Sequence, residues 1–114
     1  MEEKTVLCAA SAYEKKYYLN EDFAGLPEEV RQELQILCVT FTEDVGGILM
    51  LVYDEDGSLQ LQVEQAEDDY LYDEIGSALK IKQIQSEKQE LFQSLELFYR
   101  IVVLGEEIED AADD

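Results

Sequence analysis

The sequence predicts an α+β protein: an antiparallel sheet of about four strands in ββαββα order, with two helices on one face and the C-terminal helix long. Three stretches carry that prediction. Ser58 to Glu64 alternates Leu59, Leu61 and Val63 with Gln60, Gln62 and Glu64, the period of a half-buried strand. Val30, Leu34, Leu37, Phe41 and Val45 recur at helical steps behind Pro27. Tyr70 to Leu104 is the longest helix-like run, along which Ile81, Ile84, Lys88, Leu91, Leu95, Phe98 and Val102 hold one face.

From the N-terminus, Thr5 to Ala10 reads as a strand and Ser11 to Glu14 as a turn. Lys15 to Leu19 returns as a second strand, although a short helix also fits these residues. Asn20-Glu21-Asp22 leads into a loop that ends at Gly25-Leu26. The first helix starts at Pro27, whose missing N–H costs nothing there, with Glu28-Glu29 in the favoured first turn and Gly46-Gly47 at its end.

Ile48 to Tyr53 is apolar on both faces, as in a strand central to its sheet. Asp54-Glu55-Asp56-Gly57 turns the chain into the alternating strand. Gln65 to Asp69 is an acidic connector, and Glu67-Asp68-Asp69 suit the start of the long helix. Leu71, Ile75 and Leu79 extend an apolar stripe upstream, and Gly105 closes the run. A continuous helix over this span would reach roughly 50 Å, against a radius of gyration of about 13 Å for a domain of this size. The helix therefore overhangs, breaks or leans on a second protomer. Ser86 and Gln89 stand three apart, as in a capping box opening a fresh helix; one continuous helix is the other reading. The domain spans residues 1–105, and 106–114 read as an acidic disordered tail.

Composition narrows the function classes. The chain has 114 residues, no histidine and no tryptophan, with a net charge of −20. No apolar run is long enough for a membrane span, and Met1-Glu2-Glu3-Lys4 begins neither a signal nor a transit peptide, so the expected location is cytoplasmic. Residues 54–74 hold nine acids and no base, whereas 75–105 hold four bases and three acids. That sign opposes binding to nucleic-acid backbone or to an anionic membrane. It suits a basic partner, a cation or simple solubility.

Cys8 and Cys38 stand among apolar residues without a CxxC motif and read as buried free thiols, with a redox pair as the alternative. The 54–57 turn fails as a calcium loop, because an EF-hand frame places Val52 and Val63 at its end positions. Glu67-Asp68-Asp69 with Asp73-Glu74 could hold magnesium, but fits a charged helix N-terminus. A Ser or Cys nucleophile lacks its commonest base, and no phosphate-cradling loop is present. No catalytic, cofactor or metal residue is therefore assigned, and an enzyme is the less favoured reading.

Five segments together resemble a small family of uncharacterised proteins from Gram-positive anaerobic bacteria, a domain of unknown function: Val6-Leu7-Cys8, Tyr13 to Tyr18, Thr42 to Gly47, Tyr53 to Gly57, and Tyr72 to Ser77. The likeness runs to about Gly105 and implies a bacterial cytoplasmic protein, with no activity or ligand attached. The leading expectation is a non-catalytic protein-interaction or regulatory module with an unidentified protein partner. The alternatives are an acidic nucleic-acid mimic that occupies a basic protein, its acids in the runs 54–56, 67–69 and 106–110, and then a metal-dependent enzyme. Because the long helix outruns the sheet, Leu91, Leu95, Phe98 and Val102 are the expected homodimer interface, with folding back into the protomer's own core as the other possibility.

Overall fold

The computed structural model describes residues 4–106; the tail from 107 onward lies outside them. Strands β1 (Thr5–Ser11) and β2 (Lys16–Leu19) form a hairpin, followed by α1 (Glu28–Val45). A second hairpin, β3 (Ile48–Tyr53) and β4 (Leu59–Glu64), leads to α2 (Glu74–Glu87) and α3 (Gln89–Phe98). The four strands form one antiparallel sheet in the order β2-β1-β3-β4.

The sheet is the predicted one, but the element order is not: ββαββα becomes ββαββαα. The long C-terminal helix breaks at Lys88, whose φ of −109° and ψ of 24° leave the helical region. The Lys88 N–H still donates to the Ile84 carbonyl (2.8 Å), and its carbonyl accepts from Phe92 N–H (3.0 Å), so little is lost at the bend. The gain is burial. A straight helix would carry Phe92, Leu95 and Tyr99 past the sheet, whereas the bend returns them to the core.

The helix also begins four residues later than the sequence indicates. Asp73 is its N-cap, with Oδ1 accepting from Gly76 N–H at 2.8 Å. Glu67, Asp68 and Asp69 stay in the connector. At the far end, Tyr99–Val103 forms a π-helical turn closed before Gly105, at φ +76°.

Register places Cys8, Ala10, Tyr17, Leu19, Leu49, Leu51, Tyr53, Leu59, Leu61 and Val63 on one face of the sheet. All belong to the core cluster or pack against it, together with Leu34, Leu37 and Phe41 of α1, Ile84 of α2 and Leu95 of α3. The pairing shifts between Val6 and Cys8, a bulge that leaves Leu7 as an extra residue, fully buried. Between β2 and α1 the loop contains a 3-10 turn, Glu21–Phe23, that the sequence reading did not anticipate. Asn20 builds it by accepting from Asp22 N–H (2.9 Å) and donating from Nδ2 to the Val6 carbonyl (2.8 Å). The turn drives Phe23 into the core against Tyr53, with ring centroids 5.6 Å apart.

Candidate functional site

The connector between β4 and α2 is held by short bonds that fix its backbone and turn its apolar side chains outward. Tyr13, in the β1–β2 turn, donates from its hydroxyl to Asp69 Oδ2 (2.6 Å) and accepts from Ala66 N–H (2.9 Å). Its carboxylate acceptor raises the Tyr13 pKa. Beyond it, Tyr72 crosses Gly47, where an added Cβ would lie 2.8 Å from the Tyr72 ring and from the Glu64 carbonyl. The Tyr72 hydroxyl bonds to buried Ser77 Oγ at 2.6 Å. With Tyr72 and Ser77 turned inward, Tyr70 (90 % exposed), Leu71 (94 %), Ile75 (76 %) and Leu79 (65 %) face solvent. Ile75 and Leu79 are one helical turn apart and stand opposite the inward face of Ile81 and Ile84.

Four large apolar side chains exposed within residues 70–79 make an apolar ridge among acids: Glu67, Asp68, Asp73 and Glu74 are all exposed. The sequence contains a signal for it. At about 100° per residue, the step of two from Leu79 to Ile81 rotates by roughly 200°, so the stripes before and after it lie on opposite sides of α2.

The expected interface residues divide. Leu95 is buried, Phe98 and Leu91 are half-buried against the core, and Val102 is exposed (61 %). Phe98 sits 6.2 Å from Phe23, ring to ring. Within the protomer these four side chains do not share one exposed surface.

Cys8 Sγ and Cys38 Sγ lie 3.8 Å apart as buried free thiols. Hydrogen bonding to Cys8 and then burial raise the Cys38 pKa, which suppresses the nucleophilic thiolate. Burial likewise raises Tyr17, whose hydroxyl has no hydrogen-bond partner among the described residues. Tyr17 lines a cleft of about 540 Å³ between the first hairpin and α1, together with Lys15, Gln35 and Thr42.

In the 54–57 turn, Asp56 Oδ1 accepts from Ser58 N–H at 3.1 Å, and this bond lowers the Asp56 pKa. Among the described residues no group of three or more His, Cys, Asp or Glu converges as a metal site. No helix among them is long and apolar enough to cross a membrane.

The model of a family of unknown function, DUF6145, matches residues 4–107. No curated protein and no solved structure matches the chain.

Proposed function

Starting from a chain that belongs to the DUF6145 family, we propose that this protein is a non-catalytic protein-interaction module whose binding face is the ridge of Tyr70, Leu71, Ile75 and Leu79. The observation that carries the reading is their shared exposure within residues 70–79, on a pinned connector and the first turns of α2. Apolar area of this kind costs about 25 cal/mol per Å² to leave in water. A partner that covers it recovers that cost. The surrounding carboxylates define the partner's rim: an apolar groove edged by Lys or Arg, with binding weakened by salt. Two buried, unpaired thiols suit a reducing bacterial cytoplasm as the place of action.

The nucleic-acid mimic is less well supported by the geometry. The acids of 54–56 and those of 67–69 lie beyond opposite ends of β4, about 20 Å apart for a six-residue strand. The third run, 106–110, lies outside the described residues from 107 onward.

The test compares affinity capture from the native host by the wild type and by Ile75→Asp/Leu79→Asp. Both substitutions are at exposed positions, so circular dichroism should be unchanged. A protein retained by the wild type should be lost from the variant, and its purified form should bind the variant at least about tenfold more weakly by calorimetry. Equal capture by both proteins would end the proposal.

A further inference from the structure

Among the described residues no helix lies over the second face of the sheet; α1, α2 and α3 send their buried side chains to the other. By register it presents three rows: Lys16–Ser11–Ile48–Glu64, then Tyr18–Ala9–Met50–Gln62, then Val6–Val52–Gln60. Val6, Ala9, Ile48 and Met50 are half-buried, Val52 is buried and Tyr18 is exposed. A strand as apolar on both faces as β3 is characteristic of a sheet covered on both sides. In a chain with 28 acids, these strand positions carry one carboxylate, Glu64, and one cation, Lys16. Neither forms an ion pair among the described residues. Asp54 lies just past the end of β3, with Gln60 Nε2 bonded to its carboxylate.

We infer that this face packs on the same face of a second copy, about a two-fold axis that lies between the sheets, midway between β1 and β3 and parallel to them. That axis reverses the order across the sheet, so β2 lies over the partner's β4 and β1 over the partner's β3. Each row then meets itself reversed. Lys16 faces the second copy's Glu64, and by symmetry Glu64 faces its Lys16, which makes two ion pairs at the rims. Ser11 opposes Ile48 and Ala9 opposes Met50, small against large, which is how two inner faces interdigitate. Tyr18 covers Gln62, and Val6 lies over the position of Val52, which its own protomer already buries. A two-fold axis perpendicular to the strands leaves both charges without these partners. The arrangement is isologous and closes at two copies.

The face is small. Four strands about 4.8 Å apart and about 20 Å long give roughly 350 Å² per protomer, less than half of the ~800 Å² per partner of a standard interface. Each protomer also carries a net charge of −20, and that long-range repulsion opposes association at low salt. The dimer is therefore weak, with dissociation in the micromolar range or above, and salt strengthens it by screening the protomers from each other.

Sedimentation equilibrium on the full chain tests the arrangement. The wild type should shift from monomer to dimer with concentration and more so with added salt. Ala9→Glu, confirmed folded by circular dichroism, should be monomeric. Lys16→Glu and Glu64→Lys should each weaken the dimer by about tenfold, and the double swap should restore it. Ile75→Asp/Leu79→Asp should leave it unchanged, which separates this face from the ridge. A wild type monomeric up to about 1 mM, the affinity limit of a marginal contact, would overturn the inference. So would a dimer that survives Ala9→Glu, or a charge swap that fails to restore it.

Discussion

The rings of Tyr53 and Tyr99 stack with centroids 4.1 Å apart and an interplanar angle of 18°. Tyr53 ends β3, and Tyr99 opens the π-helical turn after α3, so this pair joins the sheet to the segment that the bend at Lys88 brings back. Two bonds accompany it. The Tyr53 hydroxyl donates to the Leu95 carbonyl (2.9 Å), and the Tyr99 hydroxyl lies 3.3 Å from Thr5 Oγ1 on β1. Phe23 stacks on both rings, 5.6 Å from Tyr53 and 6.4 Å from Tyr99. The fold-back is therefore fixed by aromatic packing and by one buried hydrogen bond to a carbonyl near the end of α3.

Tyr53→Phe isolates that bond. The ring and its stacking remain, while the Leu95 carbonyl loses one buried donor and keeps the Tyr99 N–H, at a cost of about 0.5–1.5 kcal/mol. Urea denaturation should give a midpoint lowered by that free energy divided by the slope, with the slope itself unchanged. Tyr99→Ala, which removes the ring itself, should cost more, about 3–5 kcal/mol. A loss below about 0.5 kcal/mol for Tyr53→Phe would mean that water replaces the hydroxyl.

Alkaline pH should unfold the protein through the same core. Burial raises the pKa of Tyr53 from 10.0, and the neighbouring Cys8 together with burial raises that of Cys38 from 9.0. Raised values mean that the unfolded chain loses these protons first. The stabilisation is fully present below about pH 9 and is lost as pH rises toward the folded values. Once both groups titrate in the unfolded state, the slope approaches about 1.4 kcal/mol per pH unit for each. Melting temperature followed from pH 8 to 11 should fall, with Tyr53→Phe and Cys38→Ala each making the fall shallower. A flat profile through this range would show that neither group is buried as a neutral acid.

The parts of the fold legible in the sequence were those set by periodicity within one element. The alternation of 59–64, the two-sided apolar run of 48–53 and the stripe from Val30 to Val45 correspond to β4, β3 and α1. The parts that were missed depend on tertiary competition. Lys88 can continue a helix by propensity, and only the burial of Phe92, Leu95 and Tyr99 makes the bend the better state. Asp73 outcompetes Glu67–Asp69 as the cap because Tyr13 holds Asp69 and the Ala66 N–H in the connector. The ridge was legible only in part. Leu71, Ile75 and Leu79 stood out as a stripe, but their spacing alone could not place them away from the core. The open sheet face required the strand order, which links Lys16 to Glu64 across four strands and is absent from any local pattern.

Two glycines separate backbone conformation from crowding. Gly57 sits at φ +92° in the β3–β4 turn, where an added Cβ would lie 2.7 Å from Arg100 Cγ and 3.2 Å from Arg100 Cδ. Gly57→Ala therefore meets two penalties: the left-handed conformation, about 1–2 kcal/mol for an L residue, and displacement of the Arg100 side chain. Arg100 is exposed and bonds through Nε to Glu106 Oε1 at 3.1 Å, so its side chain can move at the expense of a surface ion pair. In the Arg100→Ala background the crowding is gone and the conformational cost remains. Gly57→Ala should then cost about 1–2 kcal/mol in that background, and more where Arg100 is kept. Gly25 is the control, because its φ is not positive and nothing lies within 4 Å of an added Cβ. Gly25→Ala should be neutral or stabilise by up to about 1 kcal/mol through the unfolded chain. Equal costs for Gly57→Ala in both backgrounds would locate the whole penalty in the backbone, and a Gly25→Ala as damaging as Gly57→Ala would contradict the turn geometry itself.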